Sequence, residues 1–362
     1  MAQEALTEAP IRRRERLDPS VFRLNVDRIK EGYYSDVYFN RTVDVLRADQ
    51  RHPQVLMQVF QKQNAIVGGM DEAIAIVKLC SEDFSQLRVH ALYDGDQVSP
   101  WETAMTIEGD YSLFARLETV YLGVLSRRTK VATNVRRVVE AARGKQIIFF
   151  PARHDHHLVQ TGDGYAAHVS GAIGVSTDAQ ASWWGGKGVG TVPHSLIAAY
   201  QGNTVQAAQK YAEYVDPSVN LVVLVDFEND CVRTSLEVAR ALGDRLWGVR
   251  LDTSETMVDV SIQKLMGDFD PRGVNPQLCQ LVRRALDREG FEQVKIVASG
   301  GFNIAKIERF ERERVPVDAY GVGSAFFQGT FDYTADVVMV EGRPCAKTGR
   351  RYRPNPRLEL VS

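Results

Sequence analysis

In the second half of the chain, short unbroken apolar runs alternate with stretches whose apolar residues recur every three or four positions. The runs are Gln146–Phe150, Leu221–Val225, Leu246–Leu251, Val294–Ala298 and Val317–Tyr320, and the periodic stretches include Thr204–Val215 and Cys231–Leu242. Runs of this kind read as buried strands and the periodic stretches as amphipathic helices, so the alternation predicts a parallel sheet. Leu221-Val222-Val223-Leu224-Val225 offers no polar position to solvent, as a strand covered on both faces requires. Roughly 190 residues of such units suit an irregular, TIM-like α/β barrel better than a half-sheet, with a doubly wound open sheet as the alternative.

Before Gly144 the texture differs. Leu87–Leu92 and Trp101–Ile107 read as strands, Asp94-Gly95-Asp96 as a turn, and Met70–Cys80 and Tyr111–Ala142 as helices. Past Phe331 the pattern predicts a short strand at Val337–Val340, a turn at Glu341-Gly342-Arg343-Pro344, and a basic tail expected to pack back on the first domain. The expected organisation is an α+β domain over 1–143, an α/β barrel over 144–335 and a C-terminal segment over 336–362, which makes the α+β domain discontinuous.

The 362 residues are 44% hydrophobic and 25% charged, enough to bury a large core. Forty-four basic and 46 acidic residues give a net charge of −2, so no global field draws the chain to nucleic acid or an anionic membrane, and an anion must be bound locally. Arg12, Arg13, Arg14 and Arg16 have no apolar stretch behind them, so they read as a solvated terminal run, with a nucleic-acid arm as the alternative, and a cytoplasmic protein is expected. Cys80, Cys231, Cys279 and Cys345 form no CxxC pair and are expected to be reduced, buried thiols.

Candidate chemistry gathers at the strand ends, where a parallel barrel places its active site. Phe150 is followed by Arg153, Val225 by Asp226, Leu251 by Asp252, Ala298 by Ser299-Gly300-Gly301 and Tyr320 by Gly321-Val322-Gly323. The two glycine elements suit a phosphate cradle, since glycine lets backbone N–H groups approach an anion, although tight turns need glycine too. Asp226 and Asp252 would stand at the rim to bond sugar hydroxyls or steady a metal-pyrophosphate, or else serve as salt-bridge or cap residues. Arg250 shares the strand face of Asp252. Arg153-His154-Asp155-His156-His157 lacks the spacing of a metal site and reads as a polar loop. His194 opens a helix after a glycine-rich run and would contact phosphate, or else sit as a cap or core residue.

With these residues in place, the chain resembles the nicotinate phosphoribosyltransferases, especially their shorter archaeal-type branch, from about Gly32 to about Gly349. The likeness rests on Gly32-Tyr33-Tyr34-Ser35-Asp36-Val37-Tyr38-Phe39, Gly190-Thr191-Val192-Pro193-His194-Ser195-Leu196-Ile197, Val249-Arg250-Leu251-Asp252-Thr253, Ser299-Gly300-Gly301 and Asp318-Ala319-Tyr320-Gly321-Val322-Gly323. The resemblance implies nicotinate and phosphoribosyl pyrophosphate as substrates, Mg²⁺ with the pyrophosphate, ATP as co-substrate, and a homodimer with shared active sites. It implies that Tyr34, from the neighbouring subunit, and Phe150 sandwich the pyridine ring. Arg153 would bind the base carboxylate or pyrophosphate, and Arg41 phosphates across the interface. Asp226, Arg250 and Asp252 would surround ribose and pyrophosphate, and Ser299, Gly300, Gly301, Gly321 and Gly323 would hold the 5-phosphate. His194 matches the position phosphorylated in ATP-coupled members. Ser176 stands where nicotinamide-using relatives carry an aspartate, which would repel a base carboxylate, so nicotinate is favoured.

Two departures bear on the base pocket. Phe150-Pro151-Ala152-Arg153 replaces the family's Phe-Gly-x-Arg, and His156-His157 lacks the proline that usually follows the histidine. The Cys-rich metal motif of some archaeal relatives is missing, and no structural metal is expected. The alternatives are a quinolinate or other pyridine-base phosphoribosyltransferase and a non-catalytic nucleotide-binding relative. An aldolase would need a strand-end lysine, and Lys295 lies too early in its strand.

Overall fold

The computed structural model describes residues 15–265 and 267–361. The chain divides into two compact units, the first built from residues up to 136, 161–171 and 327 onward, the second from 137–160 and 172–326. The division therefore falls at 136/137 rather than 143/144, and residues 161–171 return to the first unit, an excursion that no composition change marks.

In the first unit, β1 (Gln54–Gln61) is the centre of an antiparallel sheet that also takes in β3 (Arg88–Ala91) and β5 (Thr103–Asp110), while β2 (Ala65–Ile66) pairs with β4 (Gln97–Val98). The sequence pattern misses β1, because Val55, Met57, Val59 and Phe60 are buried without regular alternation. Helix Met70–Cys80 falls where expected. It begins at Gly69 with φ +79°, and the Asp94 carboxylate accepts from the Met70 and Asp71 N–H groups at 2.8 and 3.1 Å. The expected helix from Tyr111 starts at Glu118, after two short 3₁₀ turns, and runs to Ala141. Helix Val37–Ala48, with Tyr38 and Val45 exposed, was not expected.

The second unit is a parallel sheet of β6 (Gln146–Phe149), β7 (Gly174–Val175), β8 (Leu221–Leu224), β9 (Leu246–Leu251), β10 (Lys295–Ala298) and β11 (Ala319–Val322), in the order β7-β6-β11-β10-β9-β8. Residues 189–192 join its two edges. Val189 N–H donates to Val175 O at 2.7 Å, and Val192 bridges Val223 in parallel, its N–H 2.8 Å from Val222 O. Each stave thus pairs with the next in chain order and the last with the first, giving an irregular barrel rather than an open sheet. The thin stave at 189–192 and the two-residue β7 are invisible to periodicity because they are too short to show any.

Amphipathic helices cover the sheet. Cys231–Leu242 starts at Asp230, whose carboxylate accepts from Arg233 N–H at 3.2 Å, and buried Asp259 takes Cys231 N–H at 2.9 Å. Pro276–Arg288 has proline in its first turn and Asn275 as cap, and buries Leu278, Cys279, Val282 and Leu286 along one face. Ile304–Arg312 is capped by Asn303, which accepts from Lys306 N–H at 3.0 Å, and buries Ile307 and Phe310.

The chain then returns to the first unit, where β12 (Tyr333–Val340) pairs antiparallel with β1, β13 (Arg343–Pro344) with β12, and β14 (Glu359–Leu360) with β3. Phe331, Tyr333 and Val361 join the core formed by Met57, Ile76 and Tyr121.

Two expectations change. Arg12, Arg13 and Arg14 lie outside the described residues, but Arg16 is not a solvated arm. Its guanidinium bonds Asp71 at 3.0 Å and the carbonyls of Leu92 and Ala91, and stacks 4.1 Å from the Tyr93 ring centre. Cys80, Cys231 and Cys279 are buried as expected, whereas Cys345 is exposed. No helix among the described residues is long and apolar enough to cross a membrane.

Candidate active site

The parallel strands deliver Phe150, Ser176, Asp226, Asp252, Ser299 and Gly323 to their C-terminal ends, and the joining stave delivers His194. One correction concerns Gly321. β11 runs to Val322, so Gly321 lies within the strand and not in a turn after it. A Cβ there would stand 2.7 Å from both Cδ2 and Cε2 of Phe150, so this glycine makes room for an aromatic ring. A Cβ on Gly323 would likewise meet the His154 ring at 2.7 Å. The left-handed turn is at Gly300 (φ +86°) and Gly301 (φ +64°), where only glycine is unstrained.

Around that turn the charged groups interlock. Arg250 Nε donates to Ser299 Oγ at 2.7 Å, Ser299 Oγ stands 2.7 Å from Asp252 Oδ1, and Arg250 Nη2 lies 3.4 Å from the same oxygen. The Arg250 guanidinium also covers the Phe150 ring, 4.8 Å from its centre. His194 opens helix His194–Ala199, and its Nε2 pairs with Asp226 Oδ1 at 2.8 Å. That hydrogen bond raises the His194 pKa above its ordinary 6.5, against partial burial, with added pull from the Asp226 and Asp252 charges.

Other candidates are placed differently. Arg153 is exposed on a short 3₁₀ turn. Ser176 hydroxyl bonds Gln180 Oε1 at 3.1 Å, and that oxygen also accepts the N–H groups of Ser176 and Thr177. Its hydroxyl is thus engaged in holding a capping box at Thr177–Gln180. His156 and His157 stack at 4.4 Å, and no three His, Cys, Asp or Glu side chains among the described residues form a metal-binding group. Tyr34 and Arg41 are on the first unit and exposed, Tyr34 packing edge-on to Tyr33.

Sequence reasoning missed two residues beside the turn. The Glu255 carboxylate lies against Gly301, 1.5 Å from where a Cβ would be, and Lys306 Nζ donates to Gly300 O at 3.1 Å. Burial lowers the Lys306 pKa. The signal for Lys306 was its place one turn into the helix that follows the glycines; for Glu255, in an irregular loop, there was none.

A barrel of parallel strands with carboxylates, an arginine and a glycine turn at one rim defines the class, an α/β barrel protein whose candidate site stands at the C-terminal ends of its strands. The relatives are specific. A structure titled nicotinate-nucleotide pyrophosphorylase from Pyrococcus furiosus is 33% identical, with 94% of this chain and 85% of that one covered and a TM-score of 0.79. A nicotinate phosphoribosyltransferase of Mycobacterium tuberculosis is 27% identical over 73% of this chain and 56% of its own length, and one of Bacillus subtilis 25% over 65% and 44%. The family profile "Quinolinate phosphoribosyl transferase, N-terminal domain" matches residues 36–129. The chain belongs to the nicotinate phosphoribosyltransferase family. It spans about half the length of the curated relatives it matches.

Proposed function

We propose that the protein transfers phosphoribose from phosphoribosyl pyrophosphate to nicotinate, giving nicotinate mononucleotide and pyrophosphate for NAD biosynthesis or salvage. The observation that carries this reading is the convergence of Asp226, Arg250, Asp252, Ser299 and the Gly300–Gly301 turn at one barrel rim. Breaking the bond from ribose C1 to pyrophosphate builds positive charge on the sugar and negative charge on the departing group. In this proposal the turn's backbone N–H groups hold the 5-phosphate, and Asp226 and Asp252 face the ribose. Arg250 and the exposed Arg153 face the leaving pyrophosphate, and Phe150, fixed over Gly321, orients the base. Tyr34 and Arg41 would be contributed by a second copy of the chain in a homodimer, and Ser176 would leave the base carboxylate unopposed.

Asp226 and Asp252 each engage Oδ1 within the protein and leave Oδ2 without a protein hydrogen bond among the described residues. Such a donor set fits Mg²⁺, which favours one or two carboxylates together with substrate phosphates and water. When bound, the ion would neutralise pyrophosphate charge.

ATP coupling would use His194. With Nε2 held by Asp226, Nδ1 is the nitrogen left to attack the γ-phosphorus of ATP, forming an N–P bond as ADP leaves. Because its raised pKa favours the protonated ring, ATP-dependent stimulation should grow as pH rises through that value.

The test is product formation from phosphoribosyl pyrophosphate and Mg²⁺ with nicotinate, nicotinamide or quinolinate, each with and without ATP. Product from nicotinate alone among the bases is expected. Quinolinate use is the second reading, supported by the N-terminal profile match, and it would show as product from that base. Tight sugar-substrate binding without turnover of any base would select a non-catalytic protein. Asp252→Ala should lower turnover by orders of magnitude in a folded protein, and near-normal activity would remove Asp252 from the machinery.

A further inference from the structure

Ser299 has a use that the glycine turn beside it conceals. A hydroxyl offers one proton and two lone pairs. Here one lone pair accepts Arg250 Nε at 2.7 Å. The proton lies between Asp252 Oδ1 at 2.7 Å and Leu251 O at 3.1 Å, and the shorter, charge-assisted bond to the carboxylate is the stronger. The residue is 2% exposed, and the Ser299 N–H is already spent on Leu251 O at 2.9 Å. Ser299 therefore has no proton to give a phosphate, unlike the glycines that follow it.

We infer that Ser299 is a positioning residue that locks Arg250 and Asp252 into one geometry, and not a ligand of the sugar phosphate. Arg250 is held at three points, by Ser299, by Asp252 and by the face of Phe150, while Phe150 is itself seated over Gly321. The chain Gly321, Phe150, Arg250, Ser299, Asp252 spans the ends of four strands, so one buried hydroxyl sets where a cation and a carboxylate stand relative to the aromatic platform. The inference rests on the proposed function for its catalytic consequence, but the lock itself is present without substrate.

Two measurements separate these. In the ligand-free protein, the Arg250 Nε–H should give a guanidinium NMR signal protected from exchange with water in the wild type and lost in Ser299→Ala. In turnover, Ser299→Ala should lower kcat about 10- to 100-fold with KM for phosphoribosyl pyrophosphate changed less than about threefold, as displacement of a reacting-site group does. Ser299→Thr, which keeps the hydroxyl, should restore both readouts. A tenfold or greater rise in KM with kcat preserved would make the hydroxyl a phosphate ligand and overturn the inference, as would an unprotected Arg250 signal in the wild type or unchanged kinetics in the alanine variant. If the wild type uses no pyridine base, the proposed function fails, and the guanidinium signal still decides the lock.

Discussion

At the scale of single residues, His194 and Asp226 form a pair whose titration is measurable. The hydrogen bond raises the histidine pKa, so its stabilising contribution is fully present below the ordinary value of 6.5 and is lost as pH rises through the elevated folded value. Asp226→Asn should move the His194 pKa downward, read from the ring Cε1–H shift against pH; an unmoved midpoint would show that the pair does not form in solution. Gly321 makes a second case. Ala there must displace Phe150, since its Cβ would lie 2.7 Å from two ring carbons. Gly321→Ala should cost about 1–3 kcal/mol by overpacking and lower kcat/KM for the base about 10- to 100-fold by moving the ring. Thermal melts and steady-state kinetics check the two effects separately.

Among the elements, the alternating strands and helices of the second unit were legible, whereas helix Val37–Ala48 and β1 in the first unit and the very short strands were not. Cys231–Leu242 emerged with its bounds because its buried positions repeat every three to four residues, and Met70–Cys80, buried over most of its surface, emerged as an apolar run too long for a strand. β1 was missed because it is central and buried on both faces, which removes the alternation that marks an antiparallel strand. β11 was placed two residues early, and that shift turned Gly321 from a strand residue into an apparent turn. Helix Ile304–Arg312, which follows the glycine turn, has one of its free first-turn N–H groups, that of Lys306, satisfied by the Asn303 side chain. Asn303→Ala should cost about 1 kcal/mol. Urea denaturation gives the value, and a loss below about 0.3 kcal/mol would mean that the helix is held by packing of Ile307 and Phe310 alone.

For the whole molecule, residues distant in sequence meet within each unit. In the first unit Asp163 bonds Arg127 at 2.7 Å and Arg128 at 2.6 Å, and Arg128 also bonds Glu72 at 3.0 Å, with Asp163 and Arg128 buried and Glu72 and Arg127 partly exposed. Gly162 permits this, for its Cβ would lie 2.2 Å from the Arg128 guanidinium. Asp163→Ala removes the carboxylate that both arginines share while leaving Arg128 its bond to Glu72, so it should destabilise the protein by about 1–3 kcal/mol, visible as a lower Tm. The sequence by itself determined the parallel α/β class, the strand ends on which the charged residues stand, and through its motifs the family, because these depend on local periodicity and on residue order. Tertiary structure alone decided that residues 189–192 close the barrel, that Gly321 seats an aromatic ring, and that the Ser299 hydroxyl ties Arg250 to Asp252. Those facts depend on which strands become neighbours, and side chains from separate strands acquire their distances only when the ring is formed.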